Sequence, residues 1–137
     1  MPGSAEFEYV RRVDLARLGA TDPSERFSQM LLDQASGARH CTIAYIRTPA
    51  GGGSPAGMHI HEVDQIFFIV SGTMSLEIDG EASSAGPGSL VVFPAGVPHR
   101  NWNENAEPTV HIAFNVPAPD PDRTFAIPVD GPGDVGR

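Results

Sequence analysis

The stretch that decides the fold is Gly88–Asn103, GSLVVFPAGVPHRNWN. Its first part, Ser89–Phe93, is an apolar run of the kind that fits a pleated, half-buried surface. Pro94-Ala95-Gly96 then breaks the run with a tight turn. His99 follows the turn, and Asn103 closes the stretch. Imidazole is the commonest side-chain metal ligand, because near neutral pH it is largely uncharged. One histidine placed beside a strand end is not a site by itself; it needs partners.

They stand upstream in Met58–Gln65, MHIHEVDQ. Side chains alternate faces along a strand, so His59 and His61 share one face. Val63, Gln65, Phe67 and Ile69 continue that face if the strand stays regular, and Glu62 and Asp64 fall on the other. A slip or bulge of one residue would reverse the assignment. An isolated His-X-His pair is ordinarily just packed or surface histidine. A small β barrel, however, can bring His59, His61 and His99 to one interior spot. Three imidazoles then leave coordination positions open for water or substrate.

Working outward, short runs rich in Val, Ile, Phe and Thr recur at residues 26–33, 39–48, 65–70, 73–79, 89–93 and 109–116. In 73–79, Met74, Leu76 and Ile78 alternate with Thr73, Ser75 and Glu77, the pattern of a strand with one buried face. Turn signals separate the runs at Ser71-Gly72, Asp79-Gly80, Gly86-Pro87-Gly88 and Pro94-Ala95-Gly96. Many short strands at such spacing predict an all-β sandwich or small barrel. The one helix-like stretch, residues 11–20, predicts one or two turns. The domain reading is an N-terminal extension over 1–25, a helix or strand that could serve as a dimer arm. A barrel over 26–117 follows, and then a Pro/Gly/Asp-rich tail over 118–137 whose end, DGPGDVGR, is expected to be mobile.

Composition narrows the functional classes. The chain has 137 residues, 40% hydrophobic and 19% charged, which suits one globular domain. No run of about 18 apolar residues is present, so no membrane helix is expected. The start, MPGSAEFEYVRR, lacks the apolar core of a secretory signal. A single cysteine, Cys41, cannot form an internal disulfide, and a cytoplasmic location is expected. The net charge of −8 argues against nucleic-acid partners. All nine basic residues are Arg, so a lysine Schiff base is excluded. With heavy Ala, Gly and Pro use, this is the composition of a GC-rich bacterial genome.

The two quoted stretches resemble the paired motifs of the cupins. The first cupin motif reads Gly, five residues, His-X-His, three or four residues, Glu, six residues, Gly. Gly53, His59, His61, Gln65 and Gly72 fit that spacing, with Gln65 in the place of the glutamate. The second reads Gly, five residues, Pro-X-Gly, two residues, His, three residues, Asn. Gly88, Pro94, Gly96, His99 and Asn103 match every position. The resemblance covers residues 53–103. It implies a cupin-type β barrel (jelly-roll sandwich) as a single domain, often a homodimer. It also implies a divalent transition metal, Fe, Mn, Ni or Zn, held by His59, His61 and His99. Gln65 is either a fourth ligand or a hydrogen-bonding neighbour, while Asn103 and the motif glycines are structural. Glutamine is neutral and takes up no proton, so a divalent site keeps two positive charges instead of one.

Two further residues are candidates for catalysis. His111, mid-strand in TVHIAFN, is either an acid/base or fourth imidazole in the pocket, or a satisfied strand histidine. Tyr45 and Arg47 share a face with Cys41 and Ile43, and would meet a polar substrate if that face points inward. Arg100 and Trp102 either line a mouth or simply pack, and Phe67, Phe68, Phe93 and Phe114 are mainly core. Together these features predict an enzyme for a small, oxygen-chelating organic substrate. Its chemistry is either oxidative, as in dioxygenases, or Lewis-acid cyclisation or isomerisation, as in cupin-type polyketide cyclases. The alternative is a metal-supported barrel that senses a small ligand without turning it over.

Overall fold

The computed structural model describes residues 9–54 and 57–129. It contains two antiparallel sheets of five strands each. In chain order the strands are β1 (Phe27–Leu32), β2 (Thr42–Thr48), β3 (Met58–Ile60), β4 (Asp64–Ser71), β5 (Met74–Ile78), β6 (Glu81–Ala85), β7 (Leu90–Phe93), β8 (His99–Trp102), β9 (Thr109–Val116) and β10 (Ile127–Val129). One sheet has the order β1-β2-β9-β4-β7 and the other β10-β3-β8-β5-β6. The all-β barrel that the strand runs and both motifs predicted is the fold observed.

Alternation decides which side chains enter the barrel. On β4, Gln65, Phe67 and Ile69 are buried, whereas Phe68 and Val70 are exposed outside. On β9, His111, Ala113 and Asn115 point in. Register joins these faces across strands: Gln65 pairs with Asn115, Phe67 with Ala113 and Ile69 with His111. Phe67, Ile69, Met74, Leu76, Ala85, Val91, Phe93 and Ala113 form the core, with Ile69 and Phe93 fully buried.

Turns and close approaches set the corners. Asp79 and Gly80, at φ +51° and +85°, close the β5–β6 hairpin as a two-residue loop. That turn brings in β6, Glu81–Ala85, whose small polar residues carry no strand signal of their own. Gly53 and Gly72 are glycines for a second reason. A Cβ on either would lie 2.4 Å from a backbone oxygen, that of Asn101 or Pro108. Asn103 is buried, and its Nδ2 donates to the carbonyls of Thr48 and Glu107 while its Oδ1 accepts from Asn105 N–H. It is a structural tie, as the motif implies.

The N-terminal helix α1 is short, Leu15–Gly19, and is capped by the Asp14 side chain. The described part of the extension packs against β2. Arg47 donates to the carbonyls of Leu18, Asp22 and Glu25 and to the Thr21 hydroxyl. The tail differs from expectation in one respect. Ile127–Val129 is a strand paired with β3, so the second sheet includes chain beyond residue 117. The DGPGDVGR end lies outside the described residues. Among the described residues, no helix is long and apolar enough to cross a membrane.

Candidate metal centre

Local structure brings the three motif histidines together. His59 on β3 pairs directly with His99 on β8, and His61 follows the end of β3. Ring centroids are 4.4 Å apart for His59–His99 and 4.9 Å for each pair with His61. One ring nitrogen from each lies within 4.8 Å of the others, close enough for one ion to reach all three. All three side chains are buried.

The hydrogen bonds fix which nitrogen is free. His61 Nδ1 is 2.9 Å from the Phe125 carbonyl, and His99 Nδ1 is 3.0 Å from that of Val97. A carbonyl only accepts, so both Nδ1 atoms carry the proton and both Nε2 atoms keep a bare lone pair. His99 Nε2 is buried without a protein partner. Burial pushes His59 and His99 down to about 4, with neighbouring histidines adding to the shift. His61 is also lowered by burial, while the Phe125 carbonyl and the Gln65 side chain oppose the shift. Neutral imidazoles gathered at one spot, two of them oriented through Nδ1 and one with a partnerless Nε2, are the donor set a divalent ion requires, so these residues fit the metal the motifs imply.

A cavity of about 380 Å³ opens beside the cluster, between the sheets. Gln65, Phe67, His111, Asn115 and Phe125 line it with His59 and His61. Among its described lining residues there is no Asp or Glu. The two nearest acids point elsewhere, as alternation predicted. Asp64 accepts from Ala95 N–H at 2.9 Å, and Glu62 pairs with Arg123 at 2.8 Å. The inward phase of His59, His61 and Gln65 survives the interruption between β3 and β4.

Other expectations divide. His111 does face the cavity, but it is not in the three-histidine cluster, so it is no fourth imidazole. Phe67 packs on its ring at 4.0 Å between centroids, and neither ring nitrogen has a partner. Burial, helped by the Arg26 charge, lowers it to about 3, which suits a neutral hydrogen-bonding group rather than a base. Tyr45 is placed wrongly by the inward reading. From β2 it is Ala44, Ile46 and Thr48 that line the cavity. Tyr45 and Arg47 lie on the opposite face, with Tyr45 edge-on to Phe27 and Arg47 held by the N-terminal segment. The reason is register: Ile46 pairs with the inward His111, so its neighbours must point out. Arg100 and Trp102 likewise stack on each other off the cavity, with Arg100 3.2 Å from Glu77.

Phe125, Asn115 and Arg26 also line the cavity, with little in the sequence to mark them. Phe125 stacks on His61 at 4.1 Å, and its only signal was the short apolar run before Val129 in the supposed tail. Asn115 is in phase with His111 on β9 and was legible once that face was chosen. Arg26, just before β1, carried no signal.

Comparison with known proteins places this geometry in a family. A family model described as a cupin domain matches residues 45–115. An uncharacterized protein of Streptomyces coelicolor, SCO3923, is 32% identical over 57 residues, covering 42% of this chain and 54% of that relative. The match thus spans about half the length of this curated relative. Among solved structures, TT1209 of Thermus thermophilus aligns with TM-score 0.67 at 22% identity over 80% of this chain and all of that one. The polyketide cyclase RemF of Streptomyces resistomycificus aligns with TM-score 0.69 at 20% identity over 91% and 89% of the two chains. An RmlC-like cupin of Methanocaldococcus jannaschii, with a double-stranded β-helix fold, aligns with TM-score 0.60 at 22% identity over 71% and 84%. At these identities the structures share the fold.

Proposed function

The chain belongs to the cupin domain family, and on that premise we propose that it is a metal-dependent enzyme acting on a small, oxygen-chelating organic substrate by Lewis-acid chemistry. Cyclisation or isomerisation is the reaction type. The observation that carries this reading is the donor set: three neutral imidazoles beside Gln65, in a cavity without a described carboxylate. Such a set leaves the full charge of a divalent ion, Fe, Mn, Ni or Zn, facing the substrate. When bound, the ion supplies polarisation of a carbonyl or acidification of an enol.

The remaining work falls to the chain's own side chains. His59, His61 and His99 would hold the ion, the latter two through Nε2, and the Phe125 and Val97 carbonyls keep those two rings oriented. Gln65 either contributes its carbonyl oxygen or hydrogen-bonds a polar atom beside the cluster, and it moves no proton. Phe67 and Phe125 exclude water and offer flat surface to a planar substrate. His111 stays neutral and orients substrate oxygen. The likeness to RemF is one of fold, and it makes an enolisable polyketide-type aromatic the first compound class to assay.

Metal-loaded protein should convert such a compound at the same rate under argon and in air. Gln65→Glu should bind metal about tenfold or more tightly, since an anionic oxygen replaces a neutral one, and turn over more slowly. Turnover that stops under argon would replace this reading with a dioxygenase. Tight binding with no product at all would make the protein a ligand sensor.

A further inference from the structure

The cavity has a second polar end. Gln65 and Asn115 are paired on β4 and β9 close to the histidine cluster, while His111 lies four residues further along β9. At about 3.3 Å per residue, that separates the two levels by roughly 13 Å. His111 pairs with Ile46 on β2, and Ile46 pairs with Ser28 on β1. Arg26 precedes Phe27, the partner of Arg47, and so sits at the same end of the sheet, where it lines the cavity rim.

Neither group has a hydrogen-bonding partner among the described residues. His111 is 2% exposed, yet neither ring nitrogen has a hydrogen bond. A buried donor and acceptor left unmade is costly, and a ligand atom would relieve that cost. Arg26 is exposed and makes no hydrogen bond or ion pair with the described residues. By contrast, Arg47, Arg100 and Arg123 are all engaged. Arg26 is near enough for its charge to act on the His111 ring. Between the two ends the cavity wall is Phe67, whose ring lies 4.0 Å from that of His111 and is backed by the buried Phe93 ring at 4.8 Å, which in turn stacks on His99 at 4.2 Å.

We infer that Arg26 and His111 form an acid-binding subsite, which receives a carboxylate or phenolate of the ligand at the end opposite the histidine cluster. Arg26 supplies the charge through paired N–H donors, and neutral His111 adds one more N–H. The ligand is then a flat, apolar body with chelating oxygens at one end and an acid at the other. This deepens the proposed function and rests on it for the chelating end only.

The test uses zinc-loaded protein and two probes, hydrocaffeate and its neutral amide, titrated by calorimetry. Both carry the same chelating catechol, and only one carries the acid. Hydrocaffeate should bind about tenfold or more tightly than the amide, the worth of a charge-assisted hydrogen bond. Arg26→Gln should erase that preference and leave amide binding unchanged. His111→Phe keeps a ring against Phe67; it should weaken hydrocaffeate binding without lowering the melting temperature. Equal binding of the two probes to the wild type would overturn the subsite, as would a preference that survives Arg26→Gln. Amide binding that persists in zinc-free His61→Ala would sink the metal reading instead, leaving the acid preference to stand or fall separately. Failure of both probes to bind overturns both.

Discussion

His59, His99 and His111 illustrate how burial sets protonation residue by residue. In the unfolded chain an imidazole titrates near 6.5. In the fold, His59 and His99 are held at about 4 and His111 at about 3, with desolvation the main cause in each. Between those values the unfolded chain binds protons that the native chain does not. Stability therefore falls as pH drops from about 6.5 through 4 toward 3, and the dependence ends below that. Metal-free protein should melt at a clearly lower temperature at pH 5 than at pH 7. His111→Phe should flatten part of that slope, because it removes one of the groups that must stay neutral. A melting temperature constant from pH 7 to pH 4 would contradict the buried, neutral state of these rings.

At the scale of elements, β10, which the Pro-rich tail hid, ties the chain's end to the histidine cluster. Its pairing with β3 carries Phe125 over His61, where the ring stacks and the backbone carbonyl accepts the Nδ1–H hydrogen bond. Groups that orient a ligand histidine typically matter by 10–100-fold in metal affinity. Phe125→Ala keeps the carbonyl but frees the strand to shift, so metal affinity should fall by about tenfold, measured by competition with a coloured chelator. Unchanged affinity would show that β10 packs against the centre without supporting it. β6 teaches a related lesson. Glu81–Ala85 is a strand because a two-residue turn folds it onto β5, and its own side chains would not have made it one.

At the scale of the whole molecule, the outer face of β4 and β7 in the first sheet is apolar and open. Phe68 and Val70 on β4 and Leu90 and Val92 on β7 are 40–69% exposed, side by side, and β7 is the sheet's edge. An edge strand offers unpaired backbone groups next to that apolar surface, which together suit a self-complementary contact. The expected homodimer would bury this face. Wild-type protein should sediment as a dimer, and Phe68→Asp should sediment as a monomer with unchanged circular dichroism. A wild type that is monomeric at every concentration would remove the homodimer expectation.

The sequence by itself determined the all-β barrel, the inward set His59, His61, Gln65 and His99, and the structural role of Asn103. These follow from local rules: the two-residue period of a strand, turns marked by Gly and Pro, and two motifs whose spacings match the cupin pattern. Only the tertiary structure decided which face of β2 and β9 lines the cavity. That choice put His111 inside and Tyr45 outside. It also placed Phe125 and Arg26 at the cavity from opposite ends of the chain. A strand's period gives two equivalent faces, and nothing local says which is covered. Pairing across the sheet and packing of the second sheet break that symmetry, and both are long-range.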